Sequence, residues 1–302
     1  MNFTVSIFFL FFSLALHAEE HLASDSIWTA VQKAENLARK YGPDQVLFAS
    51  DLDNTLLKTK GDLGSEPWFN WQDGLLKDPT SRERIACDVP DLLHFFYMAI
   101  NPSQLFPVQE DQAKAIRHLQ DRGIHTIIVT ARGELIASST FRELKKNDLA
   151  FSRKSLAGNG FPSSHLPYDV KNPTASGLTQ QDVEKFRLGS ARPILYQRGV
   201  LFSDGQNKGI LLRTLIHKLR KRIRGIVFFD NDKKNTQRVL DAYEGQGVDV
   251  VAVRASRMDA DIQRFNDSEK TKITEDFLIL RKLLDQAYAY PRPCQLPMDR
   301  VR

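Results

Sequence analysis

The stretch 46–57, Val-Leu-Phe-Ala-Ser-Asp-Leu-Asp-Asn-Thr-Leu-Leu, constrains the fold of this chain more than any other. A short run of Val, Leu and Phe reads as a buried strand. The acids that follow, Asp51 and Asp53, then fall at the carboxyl edge of a sheet, where open α/β folds hold their ligands. Two acids at such a place are costly unless a cation or a substrate offsets them. A helix cap is the competing reading, because Asp followed by Asn-Thr also caps helices. An isolated Asp-x-Asp would be taken as a cap or turn. The apolar strand before it and Thr55-Leu56 after it turn the reading towards a site.

Further strands and helices follow in alternation. Ile27, Val31, Ala34 and Leu37 recur at helical spacing and predict a helix over about 25–41, closed by Pro43. A helix beginning at Pro107 carries Ala113, Ile116 and Leu119 on one face, and residues 124–130 form a buried strand ending in the hydroxyl of Thr130. Helices are also predicted over 80–98 and 134–146. A strand at 199–203 leads through a turn to a helix over 210–219. Lys208 sits at the first turn of that helix, where a cation opposes the dipole, so it reads as a functional lysine pointing towards phosphate. Residues 225–232 repeat the opening arrangement, a buried strand with Asp230 at its far end. A helix over 233–243, a strand over 248–253 and a helix over 272–287 complete the pattern, the last with Phe277, Leu278, Leu280 and Leu283 facing inwards. Such alternation predicts an α/β fold, a Rossmann-like parallel sheet with helices on both faces.

A chain of 302 residues has room for one sizeable α/β domain with insertions. Residues 1–18 are apolar and uncharged and end in Leu16-His17-Ala18, which reads as a signal peptide, leaving 19–302 as the domain. Export would make the protein periplasmic or secreted and would let Cys87 and Cys294 pair, although free thiols fit two such distant cysteines equally well. No other stretch is long and apolar enough to cross a bilayer. Insertions are expected at 61–104, a small cap that includes the helix over 80–98, and at 147–198, which is rich in Ser, Gly, Pro and polar residues. In the first, Trp68-Phe69-Asn70-Trp71 either lines a substrate entrance or fastens the insertion to the domain. The densest basic cluster, Lys218 to Arg224 within a net charge of +5, is explained by cations complementing a helix C-terminus. No aromatic platform or nucleic-acid motif accompanies it, so nucleic acid is not an expected partner.

In a parallel sheet the strand tips lie on one edge, which brings Asp51, Asp53, Thr130, Lys208 and Asp230 together. Three carboxylates make a hard-oxygen site suited to Mg²⁺. The hydroxyl and the ammonium supply donors for phosphoryl oxygens. One carboxylate can attack phosphorus to form an aspartyl-phosphate, and a second, two residues on, can carry the proton.

These motifs, an apolar strand with Asp51-x-Asp53-x-Thr55-Leu56, a strand ending in Thr130, Lys208 after a third strand and Asp230 at the end of a fourth, resemble those of the haloacid dehalogenase-like (HAD) hydrolases. More narrowly, Leu63-Gly64-Ser65 with Trp68-Phe69 and Trp71, and Gly199-Val200-Leu201-Phe202 leading to Asn207-Lys208-Gly209, resemble an uncharacterised bacterial HAD-like family of exported proteins. The resemblance implies Asp51 as nucleophile and metal ligand, and Asp53 as general acid/base with its backbone carbonyl on the metal. It further implies Thr130 and Lys208 as the phosphate-orienting pair, and Asp230 as the principal acid on Mg²⁺. The expected activity is that of a Mg²⁺-dependent phosphatase acting on a phosphorylated small molecule or a phosphoprotein. A catalytically weak phospho-ligand-binding protein is the alternative. Where HAD hydrolases often have a second acid, this chain has Asn231, which leaves Asn231 or Asp232 as the second partner of the metal.

Overall fold

A computed structural model describes residues 19–157, 160 and 164–288. The signal peptide read at 1–18 lies outside the described residues. The chain runs β1 (Glu19–Ser24), α1 (Ile27–Tyr41), β2 (Val46–Ser50), β3 (Leu57–Thr59), α2 (Glu66–Leu75), α3 (Val89–Ile100), β4 (Leu105–Pro107), α4 (Gln112–Asp121), β5 (His125–Thr130) and α5 (Ala137–Lys146). It continues through α6 (Gln180–Lys185), β6 (Leu195–Gln197), β7 (Val200–Phe202), α7 (Lys208–Lys218), β8 (Gly225–Asp230), α8 (Lys233–Tyr243), β9 (Asp249–Ala255), α9 (Asp259–Asp267) and α10 (Thr271–Tyr288).

Seven strands form one sheet in the order β1-β9-β8-β2-β5-β7-β6. All neighbours are parallel except β6, which pairs antiparallel with β7. This is the α/β sheet the alternation predicts. From β2 the chain steps outwards to β5 and β7, then returns to lay β8 and β9 on the other side of β2. That reversal of strand order opens a crevice at the carboxyl ends of β2 and β8.

Side-chain alternation divides the core. Phe48, Val227, Val251 and Ile128 point to one face, where α1, α4 and α5 cover them. Leu47, Ala49, Ile226, Phe228 and Ala252 point to the other, covered by α7, α8 and the segment around Tyr168 and Leu178. Both faces are covered, which is why β2 and β8 are apolar before their acidic ends apart from the buried Ser50.

Residues 61–104 leave and rejoin the domain through two arms, β3 and β4, which pair antiparallel. Between the arms, α2 and α3 build a cluster of their own with Trp68, Leu92 and Phe95, completed by Phe265 of α9 and Phe277 of α10. This cap stands beside the carboxyl edge of the sheet.

Several local expectations change. Pro107 ends β4 and does not start a helix: Val108 N donates to Leu56 O (3.0 Å), and α4 begins only at Gln112. The helix over 80–98 shrinks to α3, because Pro90 suits only a first turn, which Asp88 caps through Asp91 N (2.9 Å). Leu278 and Leu283, expected to face inwards, are 41% and 58% exposed, while Phe277 is buried. The sequence signal also misses β1, an edge strand whose residues alternate between exposed and half-buried, and α9, which buries only Phe265. Among the described residues no helix is long and apolar enough to cross a membrane. Cys87 is disulfide-bonded; the chain's other cysteine, Cys294, lies outside the described residues.

Candidate active site

Asp51 follows β2 directly, and its N–H extends the ladder to β8 by donating to Phe229 O (2.8 Å). The chain then turns tightly: Leu56 N and Leu57 N both donate to Leu52 O (2.9 Å), with Asn54 at φ 54°. Asn tolerates this left-handed backbone better than most residues. The turn leaves Asp51 and Asp53 lining one cavity of about 150 Å³ with Glu66, Arg132, Lys208 and Asn235. From the cap, Phe69, Leu93, Phe96 and Tyr97 close the other side. The aromatic stretch therefore divides its work. Phe69 meets the cavity, whereas Trp68 is buried in the cap cluster and Trp71 packs against Phe265.

Lys208 opens α7 beneath the cap of Asn207, whose Oδ1 accepts from Gly209 N (3.0 Å). Its buried ammonium donates to Asp51 Oδ1 (2.5 Å) and to Asp230 Oδ2 (2.7 Å). The two carboxylates offset the helix-dipole cost that makes a first-turn lysine uncomfortable. Gly209 permits this position, because a Cβ there would lie 2.3 Å from Arg238 O of α8. Asp230, at the end of β8, is fully buried; its Oδ1 accepts from Asp232 N (2.8 Å) and Asn235 Nδ2 (3.4 Å).

Thr130, at the end of β5, is buried, and its hydroxyl oxygen accepts from Arg132 N (3.2 Å). It holds the backbone of the residue whose side chain reaches the cavity. That residue, Arg132, has no role in the sequence reading. It is 4% exposed and clasps Asp53 through Nε (2.9 Å) and Nη2 (2.7 Å), while Nη1 donates to Thr140 (2.9 Å). A bidentate guanidinium fixes the plane of the carboxylate it holds. The available sequence signal is an arginine two residues beyond a strand-end hydroxyl.

Glu66, from the first turn of α2, is the second residue the sequence reading misses. Its Oε2 accepts from Asn54 Nδ2 (2.8 Å) and Asn231 Nδ2 (3.3 Å). Asn231 N donates to Thr55 Oγ (3.0 Å), and that hydroxyl lies 3.1 Å from Asp51 Oδ2 and 2.9 Å from Asn231 Oδ1. Asp232 is occupied elsewhere, capping α8 through Lys234 N (2.7 Å). Asn231 therefore faces Thr55 and Glu66, and Asp232 serves the helix.

The electrostatics follow from this crowding. Burial pushes Glu66 up to about 8, with Asp51, Asp53 and Asp230 adding to the rise. Burial likewise raises Asp51 to about 7; Lys208 opposes that rise, and Asp230 and Asp53 reinforce it. Asp230 is raised by burial, against the pull of Lys208. Burial alone would lower Lys208, but Asp230 and Asp51 outweigh it and hold the ammonium charged.

Among the described residues, no three His, Cys, Asp or Glu side chains are grouped so as to hold a metal ion. Lys208 stands between Asp51 and Asp230. In donor type the lining does suit Mg²⁺: the carboxylates of Asp51, Asp53 and Glu66 and the amides of Asn70 and Asn235 border one cavity. Four carboxyls crowd against one ammonium and one guanidinium, and burial first, then their mutual repulsion, makes Asp51 and Glu66 hold their protons more tightly.

A family model described as "Protein of unknown function (DUF2608)" matches residues 25–289. No curated protein matches the chain, and no solved structure does. The match corrects the resemblance to the HAD hydrolases: the matching model is that of a family of unknown function, and no HAD family matches. The physical reason is that each motif is only a few residues at the tip of a parallel strand. Open α/β sheets of many lineages gather polar residues at that edge, so such motifs mark a place in a fold and not a descent.

Proposed function

The chain belongs to the DUF2608 family of proteins of unknown function, and on the chemistry of its site we propose that it is a phosphomonoester hydrolase working through an aspartyl-phosphate on Asp51. The observation that carries this reading is one cavity lined by Asp51 and Asp53, with Lys208 Nζ 2.5 Å from Asp51 Oδ1 and Arg132 clasping Asp53. An Asp51 oxygen attacks phosphorus as the ester P–O bond breaks, and Asp53 passes a proton to the departing alcohol. Water then attacks the aspartyl-phosphate, gives its proton to Asp53 and frees phosphate together with the Asp51 carboxylate. Lys208 offsets the charge of the phosphoryl oxygens, and Arg132 keeps the Asp53 carboxyl oriented. Asp51 and Glu66, which line the same cavity, would be the residues to hold Mg²⁺, which when bound would supply positive charge to the phosphoryl oxygens.

The purified chain is expected to hydrolyse p-nitrophenyl phosphate with Mg²⁺ and to lose turnover in EDTA. Asp51→Asn should lower kcat by about a thousandfold or more, since it removes the nucleophile. Unchanged turnover in a folded Asp51→Asn protein rejects the mechanism. A second reading, a phospho-ligand-binding protein without turnover, is favoured by Asn231, an amide rather than an acid beside Asp230. Saturable binding of phosphate esters with no hydrolysis across a broad panel would select it. The disulfide on Cys87 supports a periplasmic or secreted location. Sequencing of the native N-terminus is expected to begin at Glu19.

A further inference from the structure

The hollow that holds Asp51 measures about 150 Å³, below the roughly 300–1,000 Å³ of sites that enclose a small organic molecule. A phosphoryl group with a few carbons would fill it. A second hollow, of about 470 Å³, lies between the β3–β4 arms, the start of α2 and α9. The two are neighbours through the chain itself. Asp53 lines the first and Asn54 the second; Glu66 lines the first, and Ser65 and Pro67 line the second. The hydrogen bond from Asn54 Nδ2 to Glu66 Oε2 (2.8 Å) joins a lining residue of the second hollow to one of the first.

The second hollow has an amphipathic character. Phe106, Ile262 and Phe265 offer apolar surface; Lys58 and Lys60 bring cations, and of the two acids in the lining Asp62 is held by Arg264 (2.8 Å) and Asp261 faces Lys58. Lys58 holds Asp261 only at 3.6 Å, and both partners are more than a third exposed. Lys60 is exposed and makes no salt bridge among the described residues. An apolar wall beside loosely engaged ammonium groups suits a ligand with an apolar body and an anionic end.

We propose that the two hollows are the two ends of one substrate site, which takes a phosphate ester whose alcohol carries an apolar body and a second anionic group. The phosphate lies at Asp51 and Lys208. The alcohol displaces the Asn54–Glu66 hydrogen bond, and the distal anion reaches Lys58 and Lys60. This rests on the phosphomonoesterase reading for where the phosphate lies, and it adds the substrate class. It also gives the cap a function, because α2 contributes to both hollows.

The test measures binding to the Asp51→Asn protein by calorimetry, with Asp53→Asn in its place should that variant fail to fold. The probes are inorganic phosphate and ω-carboxyalkyl phosphates of increasing chain length. Affinity is expected to rise about three- to tenfold at the length that reaches the lysines, as one exposed ion pair with added apolar contact allows. That gain should vanish when Lys58→Ala and Lys60→Ala are added, while inorganic phosphate binds both proteins alike. Affinity indifferent to length, or a gain that survives loss of both lysines, overturns the proposal. Turnover by the unsubstituted protein separates the two readings. Hydrolysis without length selection overturns only the extended site, and length-selective binding without hydrolysis of any probe overturns only the phosphatase.

Discussion

Glu66 shows how a single side chain can report the state of a whole site. Its carboxyl is raised from 4.5 to about 8, so the folded protein holds that proton more tightly than the unfolded chain does. The stability it contributes is complete below about pH 4.5 and is lost as pH rises through about 8. Asp51, raised from 3.8 to about 7, acts in the same direction over a lower window. Urea denaturation in EDTA should therefore show stability falling between pH 5 and 8, and Glu66→Gln should flatten that fall. A variant whose pH dependence matches the unsubstituted protein would contradict the assigned burial of Glu66. Arg132 is read through kinetics. Arg132→Lys keeps a charge but loses the bidentate grip on Asp53. Because p-nitrophenolate leaves without a proton, the variant should slow hydrolysis of an alkyl phosphate more than that of p-nitrophenyl phosphate, by about tenfold or more. Equal losses on the two esters would remove Arg132 from the proton-transfer step.

At the scale of elements, the packing of α7 against α8 decides where the ammonium of Lys208 stands. A methyl group at Gly209 would meet Arg238 O at 2.3 Å and Ala242 Cβ at 2.8 Å, so the helices would have to part. Gly209→Ala is expected to cost about 1–3 kcal/mol in urea denaturation, the range for overpacking, despite the better helix propensity of alanine. Activity should fall with it, since the shift moves Lys208 away from Asp51. A more stable Gly209→Ala protein would show that the contact yields. The cap makes a different demand. Its apolar cluster joins α2 and α3 to α9 and α10, which lie far apart in sequence.

For the molecule as a whole this predicts two layers of stability. Amide hydrogen exchange should show α2, α3, α9 and α10 opening together, at a lower free energy than β2, β5 and β8, because the cap shares little core with the sheet. Exchange of α9 and α10 in step with the sheet would deny them to the cap. The sheet order also explains why residues 51, 132, 208 and 230 meet. The carboxyl ends of β2 and β8 flank the point where the chain reverses direction across the sheet, and α7 and the loop after β5 arrive at the same edge.

Much of this was legible along the chain. Strands buried on both faces are mainly apolar, so β2, β5 and β8 stood out, and the acids after β2 and at the end of β8, with Thr130 at the end of β5, marked the edge that binds. Lys208 was legible because its charge opposes a helix dipole. Glu66 and Arg132 were not, since an acid in a first helical turn and an arginine in a loop are ordinary in sequence. The edge strand β1 and the helix α9 bury too little to leave a periodic signal. The amino-acid sequence alone determined the α/β class and the line of strand-end polar groups, because burial pattern is a local property read two or four residues at a time. Only the tertiary structure decided that a glutamate from the cap closes the acidic cluster, that an arginine grips Asp53, and that a larger hollow adjoins the small one. Those outcomes depend on which distant segments pack together, and short-range periodicity carries no record of that.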